Sequence, residues 1–315
     1  MNRRDLLLLG GGALLASALP ARAAETRLLQ GPAFGALWKF VAGIDEDTAA
    51  RLADDIEAII ASVDGSMSPF RADSELTGFN HAPDTDWQPM SAQTCAVVAE
   101  GLRIAATTGD AFNPTVGPMV GRYGFGPITG GTVGLPAEIS VRDGAIRKER
   151  AALSLDLCGI AKGHALGRVA QACMTRGVRD CLIELGGEVF AGGRHPSGRA
   201  WQVGIEGPQG FQHVVALDGV FLATSGIAVN AYTHNGRRYA HIVDPASGRP
   251  ADSALFSVTV AHARAATADA LATALFAMGP DRGADFAAAS GIEALFVMRD
   301  ATETMTGGFE ARILG

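Results

Sequence analysis

The chain has 315 residues, of which 48% are hydrophobic and 19% charged, and its formal net charge is −7. That is ample material for a globular core, and the acidic balance excludes the basic face that a nucleic-acid partner requires. Beyond the N-terminus no segment stays apolar long enough to span a bilayer, so the protein is not itself transmembrane.

The first predicted element is a processing segment. Arg3-Arg4, an apolar run from Leu6 to Leu19 and the Ala21-Arg22-Ala23 triplet form a charged region, a hydrophobic region and a cleavage site. The twin arginine points to the twin-arginine export route. An export signal over residues 1–23, cleaved near Ala23, places the mature domain, residues 24–315, in the periplasm. That domain keeps 23 basic and 32 acidic residues, a net charge of −9.

Residues 45–66 carry apolar positions at helical spacing with acids in the first turn, which predicts an amphipathic helix. A second helix is predicted over 91–109 with Ser91 as its N-cap. A third runs over 159–177. Short strands follow at Cys181–Leu185, leading into Gly186-Gly187, and at residues 201–206, 214–217, 219–224 and 257–260. An Ala-rich helix from Ala265 to Met278 stops at Gly279-Pro280. Residues 294–298 and 309–314 read as a closing strand pair. Helices and strands are interspersed without a repeating βα period, which predicts one α+β domain, a largely antiparallel sheet with packed helices. The four cysteines, Cys95, Cys158, Cys173 and Cys181, have neither zinc spacing nor a C-x-x-C motif. Cys173 and Cys181 read as buried thiols, with a structural disulfide as the alternative in an exported chain.

Five polar clusters could carry chemistry. They are residues 68–76 around Phe70 and Arg71, then Asn113-Pro114-Thr115, then 156–164 (DLCGIAKGH), then Ala223–Gly226 with His241–Gly248, and last Asp269 with Thr273. The DLCGIAKGH stretch is no phosphate loop, because its lysine precedes the glycine and no Ser or Thr follows. Asp269 and Thr273 stand four apart, so their oxygens share one face of an apolar helix. A carboxylate there needs a partner. The pair reads either as ligands of a hard cation such as magnesium, or as an early-helix acid favoured by the dipole beside a self-bonded threonine.

Taken in order, the motifs S-x-F-R-x-x-S-E-L-x-x-x-N, F-N-P-T-V-G-P, L-D-L-x-G-I-A-K-G, I-E-L-G-G-E, A-T-S-G, H-I-V-D-P-x-S-G-x-P and A-D-A-L-A-T-A-L resemble the ApbE family, the FAD:protein FMN transferases. The resemblance runs from about residue 34 to the C-terminus. It implies magnesium-dependent transfer of FMN from FAD to a Thr or Ser hydroxyl of a target protein, with release of AMP. It implies Asp269, Thr273 and the backbone carbonyl of Gly159 as Mg2+ ligands. Phe34, Phe70, Asn113, Pro114, Thr115, Asp156, Lys162 and the backbone of Val243 would contact FAD, with Phe70 stacking on adenine. His241 is the candidate base for the acceptor hydroxyl, since imidazoles in general titrate near neutrality. The acceptor expected from the resemblance is a flavinylated subunit of a membrane redox complex. Phe34 and Phe70 stand where the family usually has methionine and tyrosine. Cys158 replaces a usual Gly or Ser, and residues 227–232 depart from the family's continuation. Two alternatives share the site: a magnesium-dependent FAD pyrophosphatase giving FMN and AMP, and a non-catalytic periplasmic FAD-binding protein.

Overall fold

The structure, a computed structural model, describes residues 7–9, 26–228, 231–234, 237–251 and 254–314. The predicted export segment, apart from the backbone of Leu7–Leu9, and Val229-Asn230 of the departing stretch lie outside the described residues.

An eight-stranded sheet organises the chain. Its strands lie in the order Glu303–Thr306, Glu293–Met298, Leu255–His262, Val220–Gly226, Glu188–Gly192, Cys181–Leu185, Ala36–Gly43 and Thr26–Ala33. Every neighbour in it pairs antiparallel, which agrees with the α+β expectation. Side chains alternate between its faces with period two. Phe40, Ile183, Leu185 and Val260 join one core, while Val41, Leu182, Val189 and Leu222 join another. The first core lies under helices α1 (Glu46–Met67), α5 (Ala161–Thr175) and α6 (Ala265–Met278). The second is closed by the hairpin of Trp201–Gly207 and Gly210–Leu217. Leu7–Leu9 pair parallel with the first strand of that hairpin.

Local signals explain the helix starts. Asp45 caps α1 by accepting from the Thr48 N–H at 2.8 Å. Ser91 caps α3 (Ala92–Thr107) by accepting from the Thr94 N–H, and its own hydroxyl donates to Glu75. The short helices α2 (Glu75–His81) and α4 (Gly117–Arg122) flank α3 in sequence. Helix α6 is buried on nearly all sides, as its uniformly apolar sequence requires. It ends at Gly279, whose φ of 83° suits glycine. The proline that follows also opens a helix, α7 (Pro280–Ala289), where its missing N–H costs nothing.

One predicted strand is corrected. The partner of Glu293–Met298 is Glu303–Thr306, and Phe309–Arg312 forms a 3-10 turn. Gly307 and Gly308, at φ 61° and 85°, break the strand, and the turn that follows buries Phe309 in the second core.

Candidate active site

The start of α5 meets the middle of α6. A Cβ on Gly163 would lie 2.5 Å from the Ala265 carbonyl oxygen and 2.7 Å from Asp269 Cβ, so only glycine permits this approach. Across the contact the Gly163 N–H donates to Asp269 Oδ2 at 2.8 Å. A Cβ on Gly159 would lie 3.1 Å from Thr273 Oγ1, and Thr273 Oγ1 stands 3.3 Å from Ser225 Oγ. The three predicted metal ligands therefore lie along the same α5–α6 contact.

Asp269 is buried, and that burial raises its carboxyl above the usual range, with Lys162 and the Gly163 N–H working against the rise. Lys162 projects from the first turn of α5. Burial opposes its charge, but the carboxylates of Glu188 and Asp269 push it up to about 12. Its Nζ lies 2.6 Å from Glu188 Oε1 and 3.4 Å from the Gly186 carbonyl oxygen. The lysine side chain keeps about a third of its exposure (32%), whereas both carboxylates are enclosed. The lysine thus keeps an exposed edge beside a buried acidic pair.

Among the described residues no group of three or more His, Cys, Asp or Glu could hold a metal. With Glu188 engaged by Lys162, the available donors are the Asp269 carboxylate, hydroxyls and backbone carbonyls. That set fits a hard cation that keeps water or phosphate oxygens in its coordination shell, as magnesium does, and does not fit zinc or copper. The observation that carries this fit is the Asp269 carboxylate, buried in an apolar helix with the Gly163 N–H as donor to Oδ2.

The remaining predicted residues surround this contact unequally. Asp156 is tied to the Pro114 loop, its N–H donating to the Pro114 carbonyl at 2.7 Å, and its Oδ1 accepts from the Cys158 N–H. Asn113 and Thr115 use their side chains inward. Asn113 Oδ1 accepts from the Thr115 N–H at 2.8 Å, and the Thr115 hydroxyl oxygen stands 2.8 Å from both Asn113 Oδ1 and the Gly134 carbonyl oxygen. Their side chains therefore set the loop's shape. Phe34 occupies the turn of the first hairpin with φ 50°, followed by Gly35 at 77°. A left-handed phenylalanine stores strain, and such strain concentrates at functional sites. This turn abuts the Gly186 turn: the Gly186 N–H donates to the Leu37 carbonyl at 3.3 Å, and a Cβ on Gly186 would lie 3.7 Å from Lys162 Cδ. Phe34, Lys162 and Glu188 thus share one rim.

Phe70 stands on the loop between α1 and α2, is 67% exposed and belongs to neither core. His241 is half-buried, with the Phe125 ring edge-on at 6.3 Å. It leads into Val243-Asp244, which pair with Arg249-Pro250 and pack beside α6. A cavity of about 380 Å³ lies between Asn113, Gly134 and Asp244, and its lining includes neither Asp269 nor Lys162.

Glu188 of this centre escaped sequence reasoning, and Ser225 was read only as part of the Ala223–Gly226 cluster, with no role of its own. Both sit inside motifs quoted above, A-T-S-G and I-E-L-G-G-E, so the signal was present. All four cysteines are free. Cys173 and Cys181 are buried thiols, as expected. No helix among the described residues is long and apolar enough to cross a membrane.

A model of the ApbE family matches residues 34–296. The FAD:protein FMN transferase of Vibrio cholerae is 32% identical over 296 residues, covering 88% of each chain. That of Escherichia coli K12 is 30% identical over 323 residues, covering 91% of this chain and 92% of its own. Among solved structures, the flavin transferase ApbE of Vibrio cholerae superposes with a TM-score of 0.83 at 31% identity, covering 92% of this chain and 99% of its own. The apo flavinyl transferase ApbE of Pseudomonas stutzeri gives 0.84 at 32% identity, covering 92% and 98%.

Proposed function

This chain belongs to the ApbE family, and we propose that it is a FAD:protein FMN transferase, moving FMN from FAD to a Thr or Ser hydroxyl of a target protein in a magnesium-dependent reaction. The observation that carries the reading is the α5–α6 junction, where the Asp269 carboxylate, the Thr273 hydroxyl and the backbone of Gly159 meet beside the Lys162 ammonium.

Asp269, Thr273 and the Gly159 carbonyl would hold Mg2+. When bound, Mg2+ neutralises pyrophosphate charge and stabilises the charge that develops as AMP leaves. Lys162 binds the pyrophosphate from the other side, and its raised pKa keeps it cationic at neutral pH. The Phe34 turn and the Asn113–Thr115 loop shape the walls, and Phe70 offers an exposed ring for adenine. Phosphoryl transfer needs positioning and charge stabilisation more than covalent help.

His241 takes the proton of the acceptor hydroxyl. The oxygen forms a bond to the phosphorus next to FMN, the bond from that phosphorus to the bridging oxygen of AMP breaks, and AMP leaves. We place the reaction in the periplasm on the strength of the residue 1–23 signal, with a flavinylated subunit of a membrane redox complex as acceptor. The test is mass spectrometry of an acceptor peptide incubated with the mature protein, FAD and Mg2+. One added FMN on Ser or Thr, lost with EDTA, supports the transferase. An unmodified peptide with accumulating FMN and AMP assigns a pyrophosphatase instead, and intact FAD throughout overturns both.

A further inference from the structure

Glu188 has a role that the reaction above leaves unfilled. It follows the Gly186-Gly187 turn as the first residue of its strand and is 2% exposed. Its Oε1 accepts from Lys162 Nζ at 2.6 Å. Its Oε2 is buried and has no hydrogen-bond partner. A buried carboxylate oxygen left unsatisfied is costly. A fold that only needed an anchor for Lys162 would satisfy both oxygens, and one that only needed a phosphate site would place no carboxylate beside it.

The chemistry of the missing partner follows from the surroundings. Glu188 Oε2 lies beside the Gly186 turn: a Cβ on Gly186 would stand 4.0 Å from it, 3.7 Å from Lys162 Cδ and 3.8 Å from the Cβ of Ala36, two residues after Phe34. A phosphate oxygen cannot satisfy a carboxylate, because both are acceptors and both are negative. Nor does a second metal ligand fit, since Lys162 already occupies the anionic edge of Glu188. The group must be a neutral donor within a few bonds of a phosphate. In a dinucleotide that position holds the hydroxyls of a sugar or polyol.

We infer that Glu188 is a substrate-recognition residue whose free oxygen accepts a hydrogen bond from a polyol hydroxyl adjoining the pyrophosphate, while its other oxygen aims Lys162. The inference rests on the FAD reading above and names the part of FAD that this side chain recognises. Two sources share the chemistry, the ribityl chain on the flavin side and the ribose on the adenosine side.

The test is equilibrium binding to the mature protein in Mg2+, comparing wild type with Glu188→Gln and Glu188→Ala. FAD is the full ligand, and inorganic pyrophosphate is the ligand without a polyol. Loss of a hydrogen bond to a charged group should weaken FAD binding by about 10- to 100-fold. Pyrophosphate, which feels Glu188 only through Lys162, should change by less than about 3-fold. Comparing FMN with ADP then assigns the contact, because only the ligand carrying the recognised hydroxyl loses affinity in the variants. A readout that needs no variant is the binding of deoxy analogues of FAD to wild type, where removing the recognised hydroxyl should cost the same 10- to 100-fold. Equal losses for FAD and pyrophosphate would reduce Glu188 to a lysine anchor and overturn the inference. So would wild-type affinity for every deoxy analogue. If wild type transfers FMN and these comparisons come out flat, the inference falls while the transferase reading stands. If wild type binds no FAD at all, both fall, and that is seen before any variant is compared.

Discussion

Two lysine–glutamate pairs place their glutamates within a few residues of each other on one hairpin, and they behave differently. Lys39 faces Glu184 directly across neighbouring strands, with Nζ and Oε2 2.8 Å apart and both side chains buried. Glu184 shares its face with Leu182, on the side closed by the Trp201–Leu217 hairpin. Glu188 lies opposite Leu185, on the helix side of the sheet, and its lysine comes from α5 and keeps an exposed edge. The first pair is sealed between sheet and hairpin, and neither of its charged ends is left as an orphan. The second leaves one carboxylate oxygen unpartnered next to another buried acid, Asp269. A closed ion pair serves the fold, whereas an open one is completed by a ligand. Two glutamates of one I-E-L-G-G-E motif thus divide between stability and recognition according to the face each takes.

Substitutions should separate the two regions, beginning with the largest effect. Asp269→Asn removes the carboxylate from the α5–α6 junction and should lower FMN transfer by about a thousand-fold, the scale seen when a preorganised charge contact is lost from a transfer site. Because burial already disfavours this charge, the melting temperature should hold or rise. A rate within ten-fold of wild type would remove Asp269 from the metal site. Next, Lys39→Met strands a buried Glu184 and should cost about 3–5 kcal/mol in urea unfolding. FAD affinity of the fraction that remains folded should be preserved. Smaller still, Lys162→Met should weaken FAD binding by about 10- to 100-fold, with little loss of stability. Glu188, raised by burial, can protonate once its ammonium is gone. If Lys162→Met destabilises as severely as Lys39→Met, the division between a closed and an open pair is wrong.

Much of this frame was legible in the residues because its signals are local. Asp45 and Ser91 announce helix starts, Gly279-Pro280 announces a stop, and the period of α6 puts Asp269 and Thr273 on one face. What escaped depends on distant pairing. Phe309, Ala311 and Ile313 alternate as a strand would, yet the left-handed Gly307-Gly308 and a vacancy in the second core for Phe309 decide otherwise. Glu188 was legible only as the last residue of the I-E-L-G-G-E motif, because its partner arrives from α5, 26 residues earlier. Asn113 and Thr115 were legible as a polar loop, but the sequence does not reveal that they bond to each other and to Gly134. Ser225 is a ligand-centre residue only because its strand passes beside Thr273.

The smallest expected effect concerns a half-buried base, which has neither a closed nor an open pair. His164 lies two residues beyond Lys162 on α5, and its Nε2 is buried without a partner. Burial first, and Arg168 second, lower its pKa from 6.5 to about 4. The folded protein therefore keeps this imidazole neutral, while the unfolded chain binds a proton as pH falls below 6.5. Between about pH 6.5 and 4 the unfolded state holds more protons, so stability that is complete above 6.5 declines through that window and levels off below it. The ring retains some exposure, which reduces the effect to about 1–2 kcal/mol. Many carboxylates titrate in the same range, so only a difference isolates it. Wild type and His164→Leu should be unfolded in urea at pH 7.5 and again at about pH 4. The variant should lose about 1–2 kcal/mol less than wild type on acidification. Equal losses would mean that His164 finds a proton-accepting partner when charged, and α5 would then carry one isolated base fewer than its burial implies.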